Sequence, residues 1–128
     1  MKVGRLGFKT ALLVGSVAFL CIPQIVYSAV TALELKALTD IYNTMGGSAW
    51  VQKTRWKTGD PCAQTWAGVT CTGGSVTTLN FNSNNLVGSL PSSVIGLQYL
   101  IEFFAYGNSI VGNITTIFKV LPPSLTAM

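Results

Sequence analysis

Apolar and small polar residues recur with a 24-residue period along the C-terminal half of the chain. Asn84 and Asn108 occupy the same place in successive periods, and so do Gly88 and Gly112. Seven further pairs are apolar at both places: Val76 with Leu100, Leu79 with Phe103, Phe81 with Ala105, Leu86 with Ile110, Leu90 with Ile114, Val94 with Phe118, and Leu97 with Leu121. Self-similarity at a fixed period of this size indicates a solenoid, in which stacked units bury their apolar faces against one another.

Each unit begins with a short strand and then returns to the core. Leu79 and Phe81 alternate with polar residues, which predicts a strand with both side chains on its buried face. Asn84 follows where the chain turns, and its amide can satisfy backbone groups of neighbouring units that would otherwise be buried unpaired. Gly88 permits a backbone geometry that other residues resist, and Pro91 suits the start of a short helical turn.

A helix is predicted upstream of the repeats, over about residues 32–45. Thr31 and Glu34 have the spacing of a capping box, in which each side chain accepts a hydrogen bond from the other residue's backbone N–H. Apolar residues then recur at helical spacing, at Leu35, Leu38, Ile41, Tyr42 and Met45. Gly46 and Gly47 supply a left-handed stop. The apolar stripe must be buried against another element.

The stretch between the helix and the repeats has no helical or strand period. It contains Trp50, Trp56 and Trp66. Three such rings close together are more often core residues than part of a cofactor site, because each buries a large area. The sequence Thr-Gly-Gly-Ser at residues 72–75 predicts a turn before the first strand.

The N-terminal segment, residues 1–28, has the layout of a secretory signal peptide. Three basic residues, the last of them Lys9, precede an uncharged apolar stretch that Pro23 interrupts. Cleavage after Ser28 places small or modest side chains at the two positions that need them. The alternative is an uncleaved membrane anchor, because no charge lies between Lys9 and Glu34.

Secretion changes what the net charge implies. The whole chain carries a charge of +4, which favours an anionic partner. Without residues 1–28, five basic and four acidic residues remain, a net charge of +1, and no nucleic-acid partner is expected. One basic run stays, with Lys53, Arg55 and Lys57 at alternate positions, and we interpret it as a solvated surface.

Cysteine usage agrees with an oxidising compartment. Cys21 leaves with the signal, and Cys62 and Cys71 remain as an even pair that predicts one disulfide. The chain has no histidine, which excludes the usual catalytic triad and most zinc sites. The four carboxylates are scattered and no phosphate-binding glycine motif occurs. We therefore expect neither an enzyme nor a cofactor or metal.

Together these motifs resemble the plant-type leucine-rich-repeat family, whose secreted and surface members occur in plants and protists. The resemblance covers about residues 31–121 and is carried by the helix, Gly46-Gly47-x-x-Trp50, Trp56, Asp60-Pro61-Cys62, Trp66-x-Gly68-Val69-Thr70-Cys71 and the repeats. It implies a disulfide-bonded N-terminal cap whose helix packs over the first repeat and shields the open end of the solenoid.

The expected fold is therefore α/β, a fragment of a leucine-rich-repeat solenoid. The helical disulfide cap is expected over residues 29–75, repeats with short parallel strands over 76–99 and 100–123, and the start of a truncated repeat at 124–128. A cap and two repeats are few for a stable solenoid. The sequence thus suggests a truncated gene model, a fragment, or a chain that a partner completes.

The resemblance also implies a ligand surface on the concave face of the strands. The residues that alternate with the core positions are Thr78, Asn80, Asn82, Glu102, Phe104 and Tyr106. Phe104 and Tyr106 are the expected anchors, because an exposed aromatic pair on a sheet is typical of binding surfaces. The alternative is that Phe104 covers backbone or meets a neighbouring chain. Asn113 begins an N-glycosylation sequon.

The function expected from these features is recognition outside the cell. The chain is predicted to be a secreted or cell-surface module that binds a protein, peptide or glycan through the concave face without catalysis. The alternative is a structural or adhesive cell-surface component, or the truncated head of a leucine-rich-repeat receptor. Membrane association is expected only if the N-terminal segment is an uncleaved anchor or the chain is truncated.

Overall fold

The computed structural model describes residues 28–113, 115, 119 and 126–127. The predicted signal peptide, apart from Ser28, lies outside the described residues. The last three apolar positions of the second repeat lie outside them as well.

The helix α1 spans Ala32–Thr44 and begins with the predicted capping box. Thr31 Oγ1 accepts the Glu34 N–H at 3.1 Å, and the Glu34 carboxylate accepts the Thr31 N–H at 3.1 Å. The helix ends at the predicted stop, where Gly46 has a left-handed φ of 72°.

The buried face of α1 differs from the prediction at its first turn, and Ala37 is buried as well. Glu34, only 1% exposed, lies on the buried face with Leu38 and Ile41, whereas Leu35 is 38% exposed. The prediction that Leu35 is buried was wrong because Glu34 finds hydrogen-bond donors inside the protein. Its carboxylate also accepts the Val76 N–H at 2.8 Å. A buried carboxylate therefore ties the cap helix to the first strand of the repeats.

Short strands form two sheets that follow the repeat. The strands are β1 (Val69–Thr72), β2 (Ser75–Asn80), β3 (Val87–Gly88), β4 (Glu102–Phe104), β5 (Ser109–Ile110) and β6 (Thr126–Ala127). Four of them form one sheet in the order β1-β2-β4-β6, and β3 pairs with β5 in the second sheet. The pairs β2 with β4, β4 with β6, and β3 with β5 are parallel. Thr78 lies opposite Glu102, and Glu102 lies opposite Thr126, so successive units stack at the 24-residue period.

The strand β1 is an element that the sequence pattern did not predict. It pairs antiparallel with β2, and the turn predicted at residues 72–75 connects the two strands as a hairpin. The register shifts between Thr70 and Cys71. Such a bulge breaks the alternation of inward and outward side chains, which is the signal that identifies a strand in a sequence.

Aromatic rings form the centre of the core. Trp50, Trp56 and Trp66 are buried, as predicted. Ring centroids lie 4.9 Å apart for Trp50 and Trp56, 5.0 Å for Trp56 and Trp66, and 5.2 Å for Trp50 and Phe81. Each indole N–H donates to a backbone carbonyl, at 2.7 to 2.9 Å. The polar edge of every ring is thus satisfied inside the core.

The segment between α1 and β1, which we call the cap loop, is fixed at two points. A disulfide joins Cys62 to Cys71, as predicted, and fastens the loop to β1. The Asp60 carboxylate accepts the N–H groups of Cys62 at 2.8 Å, Ala63 at 2.9 Å and Val30 at 3.0 Å. Burial by itself raises the pKa of Asp60, but the three donors outweigh it and the pKa lies below its ordinary value of 3.8.

Two asparagines at equivalent positions satisfy the backbone of the preceding unit, as predicted. Asn84 Oδ1 accepts the Gln52 N–H, and Asn84 Nδ2 donates to the Gln52 carbonyl at 3.1 Å. Asn108 Oδ1 accepts the N–H groups of Asn84 at 3.0 Å and Leu86 at 2.8 Å. Asn108 Nδ2 donates to the Phe81 carbonyl at 2.7 Å. Gln52 of the cap therefore partners the first asparagine in the same way as Phe81 of the first repeat partners the second.

The segment after each asparagine also repeats its geometry. Gly88 and Gly112 have φ values of 85° and 91°, a left-handed conformation that glycine adopts without steric conflict. Pro91 precedes a 3-10 turn over Ser92–Gly96, as predicted. The second sheet reaches the cap as well, because the Val87 N–H donates to the carbonyl of Met45 at 3.2 Å.

Candidate recognition surface

The predicted ligand residues lie side by side on the larger sheet and just beyond the ends of its strands β2 and β4. We call these six residues the strand face: Thr78, Asn80, Asn82, Glu102, Phe104 and Tyr106. Thr78 lies opposite Glu102, and Asn80 lies opposite Phe104. The Tyr106 N–H donates to Asn82 Oδ1 at 2.8 Å. The structure therefore brings the six residues together as three pairs across adjacent repeats.

The core and the backbone hold this face in register. Leu79 and Phe103 are paired across β2 and β4 and are both buried beneath it. Backbone pairing continues beyond the strands, because the Phe81 N–H donates to the Phe104 carbonyl at 2.7 Å and the Ser83 N–H donates to the Tyr106 carbonyl at 2.7 Å. The outer residues of the face are thus positioned by the same ladder as the strands.

The two asparagines of the strand face present hydrogen-bond donors. Asn80 Oδ1 accepts the Asn82 N–H at 3.2 Å, and Asn82 Oδ1 accepts the Tyr106 N–H at 2.8 Å. Both side chains are exposed. Within the described residues neither side-chain NH2 group has a protein acceptor, so both are available to a ligand that offers carbonyl or hydroxyl oxygens.

Aromatic surface lies next to these donors. Tyr106 is 78% exposed, while Phe104 is half-buried. A tyrosine ring offers an apolar face for stacking and a hydroxyl that both donates and accepts. Half-buried Phe104 adds apolar area to the same surface.

Glu102 is the acidic residue of the strand face, and the other three carboxylates of the chain have structural partners. Glu34 and Asp60 accept backbone hydrogen bonds. Asp40 pairs with Lys36 at 2.7 Å, and this hydrogen-bonded ammonium lowers the pKa of Asp40. That ion pair is the one found among the described residues, so Glu102 has no basic partner there. No group of three or more Cys, Asp or Glu side chains in this part of the chain is arranged to hold a metal ion.

The sequon lies away from the strand face. Asn113 is exposed and follows β5, a strand of the second sheet. Thr115 Oγ1 donates to Asn113 Oδ1. Glycosylation of Asn113 remains a prediction.

Sequence reasoning missed the hydrogen bond between the Asn82 side chain and the Tyr106 backbone. The 24-residue offset of these residues would have found it, because residues at equivalent positions of stacked repeats are neighbours. It also missed the hydrogen bonds that the Val76 N–H donates to Glu34 and the Val30 N–H donates to Asp60. Both join residues far apart in the chain, for which the local sequence carries no signal.

Comparison with known proteins agrees with this geometry. The leucine rich repeat N-terminal domain family matches residues 32–72, which hold α1, the three tryptophans and the disulfide. The chain is 32% identical to the protein STRUBBELIG-RECEPTOR FAMILY 2 of Arabidopsis thaliana over 94 residues, and 32% identical to STRUBBELIG-RECEPTOR FAMILY 5 of the same plant over 92 residues. These alignments cover 73% and 72% of this chain but 12% and 13% of the relatives. The chain thus spans about an eighth of the length of these relatives.

A solved structure shares the fold. The leucine-rich-repeat ectodomain of the receptor kinase SOBIR1 from Arabidopsis thaliana superimposes with a TM-score of 0.53 at 23% identity, over 79% of this chain and 54% of that one. At this level of identity the likeness concerns the fold. Among the helices that the structure describes, none combines the length and the hydropathy of a membrane-spanning segment.

The fold is therefore a leucine-rich-repeat solenoid with an N-terminal cap. The chain is a plant-type leucine-rich-repeat protein, as its cap motif, its repeat register and its relatives agree. Its module type is that of receptor-kinase ectodomains, which is consistent with recognition outside the cell.

Proposed function

We propose that the chain is a non-catalytic extracellular recognition module that binds a protein, peptide or glycan through the strand face. The observation that carries the proposal is the juxtaposition of the Asn80 and Asn82 amide donors with the exposed ring of Tyr106. A ligand lying across the two strands would stack on the ring and offer oxygens to the amides. Glu102, at the other end of the face, would accept a hydrogen bond or pair with a cation.

The absence of catalysis is part of the proposal. Three of the four carboxylates of the chain are engaged in the fold, and the chain has no histidine to act as a general base. The strand face offers stacking and hydrogen bonding but no pair of titratable groups with an evident chemical task.

The experiment uses the secreted full chain with its disulfide intact. Peptide and glycan arrays identify a probe, and that probe is then titrated against the wild type, Tyr106→Ser and Tyr99→Ser. Tyr99 is the matched control, because it is 61% exposed and lies outside the strand face.

Tyr106→Ser should weaken binding by about thirtyfold, the effect of losing an aromatic hot spot of ~2 kcal/mol. Tyr99→Ser should leave the affinity within about twofold, as for a contact outside a hot spot. The proposal fails if no array probe binds above background or if the two variants lose affinity equally.

The lengths of the relatives support a second candidate, in which the same module is the outermost part of a receptor. The matched region makes up 12% and 13% of the two receptor-family relatives. Transcript sequence downstream of the Met128 codon tests this candidate. An open frame with further 24-residue repeats and a membrane-spanning segment would support it, and a stop codon at that point would contradict it.

A further inference from the structure

A basic loop of the cap is not used by the strand face. The loop, residues 53–57, carries Lys53, Arg55 and Lys57, and all three side chains are exposed. The sequence alone suggests only a solvated surface at this place. The structure shows two properties that a merely solvated surface does not require.

The first property is a backbone conformation that these residue types resist. Arg55 and Lys57 have φ values of 68° and 63°, in the left-handed region that side chains with a Cβ atom disfavour. Gly59, two residues further on, has a φ of 60°. Glycine would be the easier residue at all three places, yet the chain carries cations at two of them. Residues kept in such conformations are often functional.

The second property is that the cations are held in place by neutral groups. Arg55 Nη1 donates to the Gln64 carbonyl at 3.1 Å. Lys57 Nζ donates to Asn43 Oδ1 at 3.3 Å and lies 5.3 Å from the centre of the Tyr42 ring.

Lys53 Nζ donates to the Ser48 carbonyl. Among the described residues, the one ion pair joins Lys36 and Asp40. None of the three cations of the loop is therefore paired with a carboxylate there. The positive charge is therefore oriented and left uncompensated.

The loop itself is anchored to the core. Trp56, which lies between Arg55 and Lys57, is buried, and its Nε1 donates to the Ala67 carbonyl at 2.9 Å. The Ala67 N–H in turn donates to the Thr54 carbonyl at 3.0 Å. The cations project from a fixed backbone, so a ligand that binds them need not order the loop.

We propose that this loop binds an acidic polysaccharide, a linear polymer that carries a carboxylate on successive sugar units. The Cα atoms of residues 53 and 57 are at most about 14 Å apart, because four chain steps separate them. The three cations stand on separate side chains, so a ligand that meets all of them must offer several anions along its length. A linear polyanion does so, whereas a single carboxylate cannot. Gln52, Thr54 and Thr58 are exposed around the cations and offer polar groups to sugar hydroxyls.

The proposal rests on the extracellular location proposed above but not on the strand face. That location disfavours a lipid membrane as the partner, because the anionic lipids that attract basic segments lie on the cytoplasmic leaflet. Each exposed ion pair is weak by itself. Binding should therefore depend on the three cations together and on ionic strength.

The test measures binding of the full secreted chain to immobilised polygalacturonate at low and physiological salt, with neutral dextran as the reference surface. The variants are the triple Lys53→Gln, Arg55→Gln, Lys57→Gln and the double Arg55→Gly, Lys57→Gly. The matched control is Lys119→Gln, which removes one exposed cation outside the loop. Anionic lipid vesicles and a polyglutamate peptide are measured in parallel.

The wild type should bind polygalacturonate but not dextran, and more weakly as salt rises. Each cation should contribute about two- to fivefold, so the triple variant should lose about tenfold or more. The glycine variant should lose affinity while its thermal midpoint stays within about 3 °C of wild type, because relief of left-handed strain offsets the greater freedom of the unfolded chain. Lys119→Gln should bind like wild type.

Four results would overturn the proposal. These are no binding above dextran, an equal loss in Lys119→Gln, a glycine variant that melts far below wild type, and tighter binding of the vesicles or the acidic peptide. The third result would mean that the cations serve the fold, and the fourth that the partner is of another class. If the chain binds polygalacturonate but no ligand binds the strand face, only the function proposed for the strand face is refuted.

Discussion

Replacement of Glu34 by alanine is predicted to be the most damaging polar substitution in the cap. The carboxylate is buried and accepts three hydrogen bonds, from the Thr31 N–H at 3.1 Å, the Thr31 hydroxyl at 2.9 Å and the Val76 N–H at 2.8 Å. Val76 is fully buried, so its N–H has no access to water once the carboxylate is gone.

The magnitude follows from two losses. A buried donor left without an acceptor costs about 1–3 kcal/mol. Loss of the Glu34 half of the capping box adds about 0.5–1 kcal/mol, the lower part of the range for a helix cap. We therefore expect Glu34→Ala to lower the free energy of unfolding by about 1.5–4 kcal/mol, a large part of the roughly 5–15 kcal/mol typical of a domain.

Chemical unfolding followed by the fluorescence of the three buried tryptophans measures this change. Glu34→Gln keeps an oxygen for the Val76 N–H and should cost about half as much as the alanine variant. Leu35→Ala is the matched control, because Leu35 is the neighbouring residue and is partly exposed; it should cost less than about 1 kcal/mol. The reasoning is refuted if Glu34→Ala behaves like an ordinary surface substitution, with a free energy of unfolding within about 0.5 kcal/mol of wild type. It is equally refuted if Leu35→Ala is the more damaging variant.

Four further changes test other parts of the structure. The pKa of Asp60 is lowered in the folded state, so its contribution to stability should be complete above the unfolded value near 3.8 and disappear as the pH falls through the folded pKa; acid titrations of Asp60→Asn should lack this step. Asn108→Ala leaves buried backbone groups of two units unpaired and should cost about 2–4 kcal/mol by urea unfolding. Replacement of Cys62 and Cys71 by alanine should cost about 2–3 kcal/mol by the same assay, and no change would contradict the loop-closure argument. Glycosidase treatment of the secreted chain should lower its mass, and Asn113→Gln should abolish that loss.

The features that the sequence predicted well are those that follow from backbone periodicity. Side chains alternate along a strand and recur with the 24-residue period of the solenoid, so the pairing of Asn80 with Phe104 could be inferred without coordinates. The same holds for Asn84 and Asn108. Each follows a strand of the larger sheet and therefore lies next to the backbone of the preceding unit. Even the helix ended at the predicted glycine stop.

The features that escaped prediction depend on contacts between distant residues. Leu35 fits the apolar stripe of α1 on a helical wheel, but Glu34 occupies the buried place because Val76, far along the chain, supplies a donor. The strand β1 escaped because its bulge interrupts the alternation. The left-handed backbone of Arg55 and Lys57 leaves no mark in the sequence, since glycine is the residue expected there.

The side-chain hydrogen bonds of Asn84 and Asn108 all reach residues that come earlier in the chain. Asn84 reaches back to Gln52, and Asn108 reaches back to Phe81. Each asparagine thus depends on residues that a ribosome has already made, and none of these bonds waits for residues still to come. Because each unit of a solenoid contacts only its neighbours and folding can propagate from one unit to the next, the cap can serve as the template for the first repeat, and each completed repeat as the template for the next.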